Sequence, residues 1–191
     1  MAIFSGRRPA APLPAALLAF GVLATLAGCS WFSSATESVT GPPPAACPTT
    51  TILRPLAQTA VFAPSAARQP MGVAFYGLLN DVSAKCNIAG DALHIALDVI
   101  LIGERGPAAG GGAGVDLTYF VAVTGADQAI LSKRSFAVNI AIPATAQRAG
   151  VTDHIEQTIA LGGRPAAGLT VVLGFQQSPE VIEFYRHYRG R

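Results

Sequence analysis

The residues that could carry out chemistry are few, and most stand apart in the sequence. The three histidines, His94, His154 and His187, lie in separate stretches, whereas protein metal sites use closely spaced ligand sets. His94 and Asp98 would share one face of a predicted strand, but at roughly 3.3 Å per residue they stand about 13 Å apart, too far to bond. No serine lies in a Gly-x-Ser-x-Gly elbow, and the glycine-rich run 110–114 lacks the ending of a phosphate loop. The sequence therefore predicts no catalytic residue, no metal site and no cofactor.

The amino-terminal segment has a charged, then apolar, then small-residue layout. Arg7 and Arg8 precede an apolar run over 15–24, and Ala27-Gly28 stands directly before Cys29. This layout is typical of a secretory signal. The alternatives are a plain signal that is cut elsewhere and a transmembrane helix. A membrane span, however, needs about 20 apolar residues, and prolines shorten this run to about half of that. The arginine pair is followed by Pro9, which argues against a twin-arginine signal.

Leu26-Ala27-Gly28-Cys29 resembles the lipobox of bacterial lipoproteins. The resemblance implies that the signal, residues 1–28, is removed and that the Cys29 sulfur carries a diacylglycerol. The chain would then be anchored to a membrane and face the periplasm. Ser30, in place of aspartate at the second mature position, favours the outer membrane.

Composition without the signal argues against nucleic acid as a partner. The whole chain has 13 basic and 11 acidic residues. Removing Arg7 and Arg8 leaves 11 of each, so the mature net charge is zero and the basic surface that nucleic acid needs is missing. The 163 mature residues suffice for one domain with a hydrophobic core.

Two cysteines, Cys47 and Cys86, remain after lipidation. Thiols usually pair in an oxidising compartment such as the periplasm, so we predict a disulfide between them. The alternatives are a metal site, which would need more nearby ligands, and a reactive thiol, which would need a neighbouring base.

The remaining sequence divides into a tether and a β domain. Residues 29–46 are rich in Pro, Ser and Thr and lack apolar periodicity, which indicates an exposed tether. Residues 47–191 form the predicted domain. Its strand-like runs alternate apolar and polar residues and lie at 49–53, 71–82, 91–102, 115–123, 136–142, 155–161 and 169–175.

Seven such runs with Gly/Pro turns favour an all-β fold, an antiparallel β-sandwich of the immunoglobulin or fibronectin kind. A small barrel is the second choice. Ser178 followed by Pro179 predicts the start of a short C-terminal helix.

The domain also resembles a family of uncharacterised bacterial lipoproteins that pair an early Cys-Pro, here Cys47-Pro48, with a later cysteine. The segments that carry the resemblance are 104–108, 119–123, 130–134 and 174–180. It implies an envelope address and domain limits, and no known activity, cofactor or partner.

Glu104 and Arg105 form a charged pair beside Gly106-Pro107, which the sequence predicts to be a loop. Arg105 could tie this loop to a strand end, or the pair could contact a partner.

Two functions are left open. The first is a non-enzymatic, lipid-anchored module that binds another envelope protein. The second is an accessory envelope enzyme or ligand carrier, which would need a pocket with convergent polar groups.

Overall fold

The structure, a computed structural model, describes residues 47–188. Eight strands and one α-helix follow each other along this part of the chain. In chain order the strands are β1 (Thr49–Ile52), β2 (Gln58–Phe62), β3 (Val73–Ala89), β4 (Ala92–Arg105), β5 (Gly114–Thr124), β6 (Ile130–Ala141), β7 (Arg148–Ala160) and β8 (Thr170–Phe175), and the helix is α1 (Pro179–His187).

The strands form two four-stranded sheets, in the orders β1-β8-β5-β6 and β2-β3-β4-β7. All pairings are antiparallel except that of β1 with β8. The second sheet contains the neighbours β3-β4-β7, which correspond to strands A-B-E of immunoglobulin-type sandwiches. The first sheet contains the neighbours β8-β5-β6, which correspond to strands F-C-C′ of that fold. β1 takes the edge position beside β8 that strand G has in that fold. The predicted β-sandwich is confirmed.

Alternating side chains place the core between the sheets. In β4 the odd-numbered residues 93–101 are buried, while His94 and Ala96 on the opposite face are exposed. The same period of two holds in β5, where Tyr119 is fully buried. Phe175 of β8 lies in the same core. Burying such side chains is the main driving force for closing the sandwich.

Strand β2 was missed, because the sequence predicts a loop there. Both Thr59 and Ala60 are buried, and the register shifts between Val61 and Phe62, so the strand shows no alternation.

Three predicted strands were too short. β3 continues to Ala89, β6 begins at Ile130 and β7 begins at Arg148. These extensions are largely exposed, so cross-strand hydrogen bonds rather than burial keep them extended. Cys86 consequently lies within β3 rather than after it. Glu104 and Arg105 lie at the end of β4, not in a loop.

The disulfide between Cys47 and Cys86 is confirmed, with Cα atoms 5.8 Å apart. Cys47 stands just before β1 of the first sheet, and Cys86 lies in β3 of the second. The bond therefore joins the two sheets at one edge of the sandwich.

The C-terminal helix is also confirmed. The Ser178 hydroxyl accepts a hydrogen bond from the Val181 amide at 3.4 Å, and Pro179 is the first helical residue. Phe184 is buried, and its ring meets that of Phe62 edge-on with centroids 5.3 Å apart. This contact places the helix beside β2, where it borders the outer face of the second sheet.

Candidate functional site: a groove beside the C-terminal helix

An apolar groove lies on the outer face of the second sheet, beside α1. Leu78 of β3 and Ile102 of β4 form its floor and are direct cross-strand partners. Both are only half-buried although they are aliphatic. Tyr76 and Tyr185 flank them, and the groove holds about 220 Å³. Side chains alternate between the two faces of β4. The odd-numbered residues therefore face the core, and Ile102 faces this groove.

Polar residues at one end of the groove carry both signs of charge. Glu104 of β4 and Arg148 of β7 are paired in register, and both line the groove. Gln58 of β2 lines it as well, and its carbonyl accepts a bond from the Gln177 side-chain amide. The surface thus combines an apolar floor with a charged rim, the composition of many protein-binding patches.

Tyr185 holds a neutral hydroxyl at this surface. Burial, and to a lesser degree the nearby Tyr76, raises the pKa of Tyr185 well above its ordinary value of about 10. The hydroxyl can therefore donate or accept a hydrogen bond throughout the physiological pH range. It supplies no general base there, because a phenol with a raised pKa holds its proton.

The structure separates the two residues that the sequence singled out as a partner contact. Glu104 lies at the groove, whereas Arg105, the next residue along β4, turns to the other face. The Arg105 guanidinium donates to the carbonyls of Ile142 at 2.9 Å and Ala146 at 3.1 Å. It also lies 5.8 Å from the centroid of the Phe75 ring. Arg105 thus ties the segment before β7 to the end of β4.

A second hollow, of about 490 Å³, lies on another side of α1, and charged side chains line it together with Phe184 and Tyr188. Its acidic side chains already have partners: Glu180 pairs with Arg68 at 2.8 Å, and Glu183 pairs at 3.1 Å with Arg186, which lies outside the lining. Because these charges already have partners, the hollow is a weaker candidate for recognition than the groove.

Two of the three histidines bond across strands β4 and β7, whereas His187 lies in α1 and its Nδ1 is 3.1 Å from the Glu183 carbonyl oxygen. His94 Nδ1 lies 3.0 Å from the Thr158 hydroxyl, and His154 Nδ1 lies 2.6 Å from the Asp98 carboxylate. The spacing argument that kept His94 and Asp98 apart therefore holds. Within residues 47–188, no three His, Cys, Asp or Glu side chains come together as metal ligands would.

A bond across the core was missed by the sequence analysis. The Tyr119 hydroxyl of β5 donates to Asp153 Oδ2 of β7 at 2.8 Å. Asp153 precedes the predicted strand 155–161, but it lies inside β7 with its side chain directed inward, opposite to that of His154. An acid on an inward-facing position is the one sequence signal that could have indicated a buried partner.

Cys29 and the tether lie outside the described residues. In the part of the chain that the structure describes, no helix has the length and apolarity needed to cross a bilayer. Comparisons of the chain with protein-family models, with curated proteins and with solved structures find no match.

Proposed function

We propose that the chain is a lipid-anchored, non-enzymatic binding module of the bacterial cell envelope. It is held through Cys29 by a lipid, faces the periplasm and belongs to the outer membrane. Residues 29–46 act as a tether, and the β-sandwich binds another envelope protein. The groove beside α1 is the contact surface, and Glu104 lies at its rim.

The groove is the observation that carries the binding role. Leu78 and Ile102 stay half-exposed on the outer face of a sheet, where strands usually present polar side chains to water. The tyrosines that flank them are among the residues enriched at protein interfaces. An apolar side chain of a partner that covers this floor would remove both aliphatic residues from water, and Glu104 and Arg148 would set its orientation.

Two features support the envelope address. The lipobox precedes the domain, and the Cys47–Cys86 disulfide fits an oxidising compartment. An anchored module with a surface groove can act by holding a partner near the membrane, without chemistry of its own.

The alternative of a ligand carrier or accessory enzyme has less support. Side chains such as those of Tyr119 and Phe175 fill the space between the sheets, and both are almost completely inaccessible to water. The groove floor is a single layer of side chains outside the sheet, whereas small-molecule sites usually enclose most of their ligand.

Photocrosslinking in the native cell tests this proposal. A benzophenone amino acid is placed at Ile102 in the full chain, and the matched control carries it at Ile130, an exposed isoleucine of the other sheet. We expect discrete adducts of higher mass at Ile102 that are absent at Ile130. The same adducts at both positions, or none at Ile102, would contradict a partner in the groove.

A further inference from the structure

Strand β7 presents an open edge without a lysine, a proline or a bulge. It runs for 13 residues at the end of its sheet, and no other described strand pairs with its outer side. Its register with β4 continues from Arg148 to Ala160 without a bulge. Proteins commonly protect such edges with lysine, proline, a bulge or an inward-pointing charge. β7 has no lysine, proline or bulge, and its inward-pointing carboxylate, Asp153, is already bonded to the Tyr119 hydroxyl.

The other long edges are protected. β6 carries Lys133 and Arg134 within its edge strand. β3 extends past its short neighbour β2, but it carries Lys85 and a register shift between Leu79 and Asp81. Of these long edges, β7 is therefore the one that best admits another strand.

Hydrogen bonding to β4 shows which residues of β7 could bond to a new strand. The Leu161 amide donates to the Asp91 carbonyl at 2.7 Å, and the Arg105 amide donates to the Gln147 carbonyl at 2.8 Å. Odd-numbered residues of β7 thus direct their backbone groups towards β4. Because these directions alternate along a strand, the even-numbered residues 148–160 direct theirs to the open edge.

From this edge we infer that two copies of the chain pair through β7, antiparallel, about a two-fold axis at Thr152. Residues 148–156 of each copy then form the shared ladder. Thr152 faces Thr152 of the second copy, and Gly150 faces His154. Every even-numbered residue meets an even-numbered one, so all their outward backbone groups find partners, and the interface is self-complementary as a two-fold dimer requires.

Charge complementarity favours this register over its neighbours. The register about Thr152 sets Arg148 of each copy directly opposite Glu156 of the other, so the dimer contains two such pairs. Arg148 stands directly across from Glu104 of β4 and lines the groove. Arg148 and Glu156 are both exposed, and among the described residues no ion pair or side-chain hydrogen bond involves either of them. Opposite charges directly across an antiparallel pair stabilise it.

The neighbouring registers are less favourable. Moving the axis to Val151 sets Arg148 opposite His154, which already pairs with Asp98. Moving it to Asp153 sets two Asp153 carboxylates against each other. In the chosen register Gly150, which has no side chain, leaves room for His154 of the second copy.

A single cysteine at the axis tests the pairing in the full chain. Facing residues of a hydrogen-bonded pair have Cα atoms about 5.5 Å apart, within the disulfide range of roughly 4.4–6.8 Å. In membranes treated with copper phenanthroline, Thr152→Cys should give a product of twice the mass on a non-reducing gel. The matched control is Thr158→Cys, which changes another even-numbered threonine of the same strand. In the proposed register, residue 158 would face Ala146 of the second copy, which lies outside β7, so Thr158→Cys should not cross-link. Equal cross-linking at both positions, or none at Thr152→Cys, would overturn the inference.

Charge reversal provides a second test that does not require a disulfide in the right geometry. In detergent-solubilised full chain, Arg148→Glu or Glu156→Arg alone sets like charges opposite each other and should lower the dimer association constant by about tenfold. The double variant restores both pairs and should regain it. A monomeric unmodified chain, or a double variant as weak as the single ones, would contradict the pairing. This inference does not rest on the proposed function, because both readouts are independent of lipid and of any other protein.

Discussion

At the scale of single residues, the bond between Tyr119 and Asp153 joins the two sheets through the core. Burial first, and then the Asp153 carboxylate that accepts its hydrogen bond, raise the pKa of Tyr119 far above its ordinary value. The folded protein therefore favours the neutral phenol. The hydrogen bond between the Tyr119 hydroxyl and the Asp153 carboxylate links β5 to β7, two strands that are far apart in the sequence.

Tyr119→Phe should lower the free energy of unfolding by about 1–2 kcal/mol, because a half-buried carboxylate loses its donor. Urea unfolding measures this loss. Tyr188→Phe, at an exposed ring, is the matched control and should change stability little.

The same pair predicts a pH dependence. The pKa of Tyr119 is raised by folding, so its contribution is complete below about pH 10, where the unfolded phenol is also neutral. Above that pH the unfolded state loses a proton that the folded state keeps, and stability falls as pH rises. Tyr119→Phe should make this decline shallower by about one proton, or about 1.4 kcal/mol per pH unit. The decline due to Tyr185 should remain, and an unchanged slope would contradict the assignment.

At the scale of elements, β1 depends on the disulfide. It has four residues and pairs only with β8, at a sheet edge. Such terminal segments fray unless another contact fixes them. Cys47, two residues before β1, supplies that contact through Cys86 of β3.

Reduction of this disulfide should cost about 2–4 kcal/mol and lower the melting temperature by about 10 °C for a domain of this size. Hydrogen exchange locates the effect: amides of β1 should lose protection on reduction, while those of β4 in the same sample keep theirs. Equal loss of protection in both strands would show that the bond supports the whole sandwich rather than one edge.

Elements with a buried and an exposed face could be predicted from the sequence, and others could not. The alternation in β4 and β5 follows directly from burial on one side, and Ser178-Pro179 marks the helix start through local bonding. β2 was hidden because two consecutive residues, Thr59 and Ala60, are both buried. The groove could not be predicted, because its walls come from β3, β4 and α1, and only the fold brings Tyr185 to Ile102.

At the scale of the whole molecule, the proposed function requires a β-sandwich with a binding groove to be held at a membrane by a lipid. The described domain begins at Cys47, directly after the predicted tether, and the disulfide fixes that residue to the second sheet. If residues 29–46 are such a tether, force along them would be transmitted to both sheets rather than to β1 alone.

The mass of the mature amino terminus tests the proposed lipid anchor at Cys29. The full chain is extracted from the membranes of its own cell, and the intact protein and its first proteolytic peptide are weighed. We expect a chain that begins at Cys29 with a diacylglycerol on its sulfur, and a Cys29→Ala chain without lipid that no longer sediments with membranes. A chain that keeps residues 1–28, or one with an unmodified Cys29, would contradict it.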